Sequence, residues 1–206
     1  MTDSLKTLYS LRKAPVQARS KATVDAIISA AARILLDAGY DKSSTNKISD
    51  LAGVSIGSLY EYFPGKEAIY AELRRREDQR LFDLTMSHPE PSTIQELIRT
   101  HIAIYLDFVR SNLELHAAII NDVPQFAVTP DELPFYREYQ PWATAFMRTH
   151  RSELRYDSNL GRMTDFISRV PRAIIDNYVL NSPGDLQDSF IEDMLIDLCE
   201  RFLLKS

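Results

Sequence analysis

The sequence is short of the residues that many chemistries require. A single cysteine, Cys199, among 206 residues excludes an intrachain disulfide. Six glycines are few for a turn-rich β architecture and leave helices as the favoured element. No apolar run approaches the roughly 18–20 residues that a membrane span needs. The opening MTDSLKTLYSLRK has no apolar core and no small-residue cleavage site of the kind that marks a signal peptide. The expectation is a cytoplasmic protein without a membrane partner. There is no GxSxG elbow and no glycine-rich phosphate loop. His88, His101, His116 and His150 lack the spacing of HExxH or CxxC-type sites. No catalytic residue, metal or cofactor is expected, and an enzyme is not.

The charge is unevenly placed. The whole chain carries −5, yet residues 1–86 hold 13 Lys+Arg against 11 Asp+Glu, a net of +2, and residues 87–206 a net of −7. Only the N-terminal end therefore suits a polyanion. Apolar residues at 45% and charged residues at 26% are ordinary for a globular chain.

Periodicity divides the chain. Residues 1–20 read as a basic, mobile arm, with Pro15 interrupting any helix there. Val24, Ile27, Ile28, Ala31 and Leu35 fall at helix spacing and Gly39 stops that first helix. Ser43, Ser44 and Thr45 offer caps for a second, which Gly53 ends. Ser55 caps a third, which stops near Phe63 because Pro64 disfavours helical geometry in the residue before it. The three make a domain over 21–68, with a helix-turn-helix at 44–63. A fourth, connecting helix runs over 69–86 and starts near Lys66; the charged run RRRED in its middle reads as a solvated face. SHPEPS (87–92) opens a C-terminal domain, 87–206, with five more helices, so the fold class is all-α with about nine helices. In that part FAVTPDELP reads as a loop, Pro141 as a kink or break in the seventh helix, and Leu186–Leu204 as the ninth.

The third helix can be read by angle. Leu59 and Phe63 mark its buried side; Gly57, Ser58 and Glu61 point away, with Tyr60 and Tyr62 on the two flanks. Glycine in a helix interior costs roughly 1 kcal/mol against alanine, so Gly57 needs a reason. A helix that sinks into the major groove supplies one, with tyrosines donating to the phosphate walls. Glu61 can accept from a cytosine amino group. A small core helix with packed tyrosines is the alternative, and Ile56 lies near the buried edge by angle.

The run ISDLAGVSIGSLYEYF, preceded by AA near the first helix end, GY and a Ser-Ser-Thr cluster and followed by KE, resembles the DNA-binding domain of the TetR family of bacterial transcriptional regulators. The match spans about Thr23 to Leu73. Gly65 departs from it, standing where members more often carry Asn, Asp or Ser. The resemblance implies a sequence-specific DNA-binding regulator, most often a repressor released from double-stranded operator DNA by a small-molecule effector. It implies a homodimer through the last two helices and a ligand-binding C-terminal domain. The candidate DNA-binding residues are Ser44, Thr45, Asn46, Ser55, Ile56, Gly57, Ser58, Tyr60, Tyr62 and Lys66.

An architectural DNA-binding protein that needs no ligand is the rival reading, and polar residues on apolar faces discriminate. His101 and Tyr105 lie on the apolar stripe of the fifth helix and need either core partners or a pocket. With Trp142, Phe146, Phe166 and Arg169 they are the candidates to line an aromatic cavity for the effector. Phe190, Met194, Leu198 and Phe202 form the main stripe of the last helix, broadened by Ile191 and Leu195.

Overall fold

Each helix start and stop follows from local chemistry. The computed structural model describes residues 9–123, 133–156 and 158–205. Among them are nine α-helices, a π turn, a 3₁₀ turn and one isolated antiparallel bridge, Leu154 with Leu204. The chain is all-α, as its periodicity predicts.

α1 spans Ala18–Ala38 and buries Val24, Ile27, Ile28, Ala31 and Leu35. It begins earlier than the apolar pattern indicates, because Ser20 and Thr23 donate to the carbonyls of Gln17 and Arg19 and hold an extra polar turn. Gly39, at φ 78°, closes it by donating to Leu35. α2 spans Thr45–Ala52, with the Ser44 hydroxyl accepting from the Lys47 N–H, and ends at Gly53 in the left-handed region (φ 66°, ψ 30°). α3 spans Ile56–Tyr62 and is capped by Ser55, which accepts from the Ser58 N–H at 3.1 Å. Phe63 leaves it in an extended conformation, as the residue before a proline should.

α4 spans Lys66–Ser87. The described residues form two compact units whose boundary lies within this helix, between Glu77 and Asp78; residues 118–123 belong with the first unit. In the first unit Ala68, Ile69, Tyr70, Ala71 and Leu73 of α4 are buried, and the Tyr70 hydroxyl donates to Ser43 Oγ at 2.8 Å. RRRED is not a solvated face. Arg76 reaches Asp25 at 2.7 Å and Glu72 at 3.2 Å, Arg75 donates to the Tyr9 carbonyl, and Asp78 is only 7% exposed.

In the second unit α5 (Ile94–Ser111) is the central helix, capped by Thr93, and it packs against α8 (Leu160–Asn181) and α9 (Phe190–Leu203). α6 covers Leu113–Asp122. The break expected at Pro141 is a π turn, Phe135–Tyr139, running into α7 (Gln140–Thr149), so the proline sits in the first turn where its missing N–H costs nothing. The ninth helix starts at Phe190, not Leu186. Leu186 is fully buried in a 3₁₀ turn, Pro183–Gln187, whose carbonyl accepts from Arg110 at 2.7 Å, and Asp188 caps the helix behind it. Residues 1–8 of the arm and most of FAVTPDELP lie outside the described residues.

Candidate nucleic-acid interface and internal cavity

On α3 the buried side is Leu59 and Phe63, both fully excluded from solvent, as the angles require. Ser55, Ile56, Gly57 and Tyr60 are exposed and Ser58 is half-buried. Ile56 thus faces outward, at 39% exposed. Among the described residues a Cβ on Gly57 would find nothing closer than Ser55 Oγ at 3.8 Å, so none of them demands glycine there. Tyr60 and Thr45 meet through their hydroxyls at 3.1 Å, beside the first turn of α2, where Asn46 is exposed and Ser44 half-exposed. Two donors from different helices and the free N–H groups of a helix start share one open surface.

Two expected contacts sit elsewhere. Tyr62 is 8% exposed, and the Arg12 N–H donates to its carbonyl at 2.8 Å. Lys66 is half-buried: its ammonium donates to the carbonyls of Tyr40 (3.1 Å) and Ser43 (3.4 Å) and lies 4.2 Å over the Tyr40 ring. Burial and the neighbouring Glu67 carboxylate push the Tyr40 phenol up to about 12. Lys66 therefore ties the loop before α2 to α4, with one of its three donors left over.

The second unit holds a partly open cavity of about 110 Å³. α4 contributes Leu81, Phe82 and Thr85 beside Asp78; α5 contributes Leu97, Ile98, His101, Ile102 and Tyr105; Phe135, Tyr139, Ala143, Met147, Thr164, Ile167, Ser168, Pro171, Arg172 and Cys199 complete the wall. His101 and Tyr105 both line it. The Tyr139 hydroxyl lies 3.0 Å from His101 Nδ1. Burial and the nearby His88 lower the His101 pKa to about 4, so the imidazole is neutral. Burial raises the Tyr105 and Tyr139 phenols and the Cys199 thiol, the last to about 11.

The other four candidates do not line this cavity. Trp142 and Phe146 stack at 5.8 Å and face a surface groove with Glu90, Pro91 and His150. Phe166 is 51% exposed and lies 5.4 Å from Phe202; Arg169 pairs with Asp165 at 2.7 Å over the Tyr136 ring. The reason is helical angle: Thr164, Ile167, Ser168, Pro171 and Arg172 share the cavity face of α8, and Phe166 and Arg169 fall on its other side.

Sequence reasoning missed a polar cluster behind the cavity. Tyr105 donates to Asp176 Oδ1 at 2.5 Å, and His116 Nε2 lies 3.0 Å from the same oxygen. Burial opposes ionisation of Asp176, but the bonds from His116 and Tyr105 and the charge of Arg172 outweigh it and hold the carboxyl below its ordinary value. Arg172 is 3.6 Å from Asp78 Oδ1 and 5.4 Å over the Tyr105 ring. The readable signal was Ser168, Arg172 and Asp176, recurring every four residues beside the apolar stripe of α8. No group of three or more His, Cys, Asp or Glu among the described residues could hold a metal ion. None of the helices there is long and apolar enough to cross a membrane. Phe190, Met194, Leu198 and Phe202 of α9 form an exposed apolar row, while Ile191 and Leu195 turn inward.

The geometry defines a helix-turn-helix domain joined by its fourth helix to an all-helical unit with an internal cavity. Residues 27–73 match the family described as bacterial regulatory proteins, tetR family, so this segment is a DNA-binding domain of the TetR type. No curated protein matches it in sequence. Among solved structures it is similar to a tetR family transcription regulator from Shewanella sp. PV-4 (18% identity, 89% of this chain, 99% of that one, TM-score 0.69). It is similar also to the fatty acid degradation regulator FadR from Bacillus halodurans (19%, 95% and 97%, TM-score 0.68). A third is NalD, the secondary repressor of the MexAB-OprM multidrug efflux pump in Pseudomonas aeruginosa (17%, 91% and 98%, TM-score 0.63).

Proposed function

We propose that the chain is a homodimeric, cytoplasmic repressor that binds operator DNA through α3 and is released by a small molecule held in the cavity. The observation that carries the DNA reading is the open face of α3 around Gly57, where none of the described residues fills the space. A groove wall can then approach the backbone. In this reading Ser44, Thr45 and Tyr60 donate to phosphates, with Asn46 beside them, and Ser55, Ile56, Gly57 and Ser58 approach base edges. Tyr62 and Lys66 act at one remove, by holding α3 and the loop before α2. Residues 21–68 are the DNA-binding domain, extended by the extra turn of α1; 69–86 connect it to the ligand and dimer domain, 87–206.

The exposed row on α9, with Phe166 and Leu180 of α8 also exposed, supports dimerisation through the last two helices. The cavity favours an effector over an architectural role. α4 supplies both the fourth helix of the DNA-binding unit and a wall of the cavity, so a ligand that prefers one position of α4 alters operator affinity. A coupling of about 1–3 kcal/mol corresponds to roughly 5–150-fold. NalD is a repressor by name and FadR a regulator of fatty acid degradation, which supports repression as the sign. The test is to sequence the fragments of its own genome that the protein retains. The expected result is a near-palindrome with half-sites about 34–36 Å apart; a retained pool with no common sequence overturns the reading.

A further inference from the structure

The open face of α3 carries a hydroxyl, a phenol and a carboxylate, and one side chain that can make no hydrogen bond. Of the exposed residues on this helix, Ile56 is the only aliphatic one; the others are Gly57, Tyr60 and Glu61. Ile56 is the first residue of α3 and is 39% exposed. It stands next to the bare backbone of Gly57 and one turn before Tyr60, whose hydroxyl meets that of Thr45. On a surface that stays in water, one exposed isoleucine is ordinary. Here, granted the operator reading above, it occupies the end of the helix that meets base edges, since a recognition helix contacts them with its N-terminal residues.

The neighbours of Ile56 leave it the task of reading. Ser55 Oγ accepts from the Ser58 N–H at 3.1 Å and lies 2.9 Å from Ser58 Oγ, which commits it to capping the helix. Gly57 has no side chain to hold a groove away: a Cβ there would find only Ser55 Oγ within 4 Å. A β-branched side chain in a helix is already fixed at χ1, so it loses little freedom on contact.

The chemistry of the groove decides what isoleucine can meet. In the major groove guanine, adenine and cytosine present only hydrogen-bond acceptors and amino donors as their distinguishing groups, and hydrocarbon pressed on one removes its water without replacing it. Thymine alone adds a methyl group, at C5.

We propose that Ile56 is a specificity-determining residue: it reads one thymine in each operator half-site by packing against the C5-methyl group.

The test uses the intact chain and the operator recovered from its own genomic fragments. Each thymine of a half-site is replaced in turn by deoxyuridine, which pairs identically and lacks only the methyl group, and affinity is read by fluorescence anisotropy. One position per half-site should weaken binding about fourfold, the value of one buried methyl group, and about fifteenfold when both half-sites are changed. Ile56→Ala should bind the thymine and uridine operators equally, both at the weaker level. Ile56→Val keeps a branched hydrocarbon and should keep part of the preference, about twofold in each half-site. If Ile56→Ala does not fold by circular dichroism, Ile56→Val decides, and a preference it leaves unchanged overturns the proposal. A wild-type protein indifferent to every uridine overturns it, as does a uridine effect that Ile56→Ala leaves intact. In both cases the operator is still bound, so the DNA reading stands. Genomic fragments without a common sequence overturn that reading and this proposal together.

Discussion

Around Leu59 the chain buries hydrocarbon and a few paired hydroxyls, such as Tyr70 with Ser43, and leaves Ser55 and Tyr60 outside; around Tyr105 it buries an imidazole, a carboxylate and a guanidinium among hydrocarbon. The first region is drawn from neighbours in sequence: α2 and α3 are joined by a turn of three residues, and each helix is started by its own serine and stopped by glycine or by Phe63 before Pro64. The second is drawn from Asp78 at one end to Cys199 at the other. A convex, polar surface loses little stability by staying wet. Polar groups that line a cavity are largely cut off from water, and each needs a partner. Hence the N-terminal motif is compact in sequence and the cavity is dispersed.

The contrast can be broken at its strongest point by charging the exposed row of α9. Leu198→Asp places a carboxylate on each copy of the proposed interface. With about 1.5–3 kcal/mol for each buried leucine, the two copies together lose about 3–6 kcal/mol, more than a hundredfold in the dimer constant. Sedimentation should show monomer at micromolar concentration; an unshifted dimer would mean that α9 is not the interface. Leu59→Ala acts on the other region. It truncates a side chain with no solvent exposure and should cost about 2–5 kcal/mol. Hydrogen exchange should report that loss in α1–α3 while α5 and α8 keep their protection. Uniform loss across both units would remove the distinction drawn between them.

His101 provides a pH test of the second region. The unfolded chain protonates this imidazole below about pH 6.5, and the native state holds it neutral to about pH 4. The unfolded state therefore binds more protons in this window, and stability falls as the pH drops through it, by up to about 3 kcal/mol. Denaturant titrations at pH 7, 5.5 and 4 should show that slope, and His101→Gln should flatten it. The smallest effect is the most pointed. Gly57→Ala has open space for its methyl group and should stabilise the DNA-free protein by up to about 1 kcal/mol. Operator binding should weaken at the same time. A variant that is more stable and binds DNA unchanged would leave Gly57 without a functional reason.

The same contrast governs how much could be read in advance. The caps at Ser44 and Ser55, the stops at Gly39 and Gly53 and the buried pair Leu59 and Phe63 are local effects, and they stand where spacing puts them. Angle alone gives Tyr62 and Tyr60 equal flanks; only the packed fold leaves Tyr62 8% and Tyr60 40% exposed. RRRED was misread because a run of charges looks alike whether water or Asp25 faces it. Trp142 and Phe166 are aromatic and near the right helices, but aromatic character says nothing about which side of a helix meets a void.

By itself the sequence determined the helices, their order and the DNA-binding motif, since hydrophobic period, capping and the proline and glycine stops act within a few residues. It also determined that no disulfide could help hold the fold. Tertiary structure alone decided that His101 meets Tyr139, that Tyr105 and His116 converge on Asp176, and that Arg172 lies against Asp78. Those pairs are 38, 71, 60 and 94 residues apart in the chain, beyond the reach of any local preference. Packing of the helices brings them together, and once water is excluded each buried polar group must find its partner.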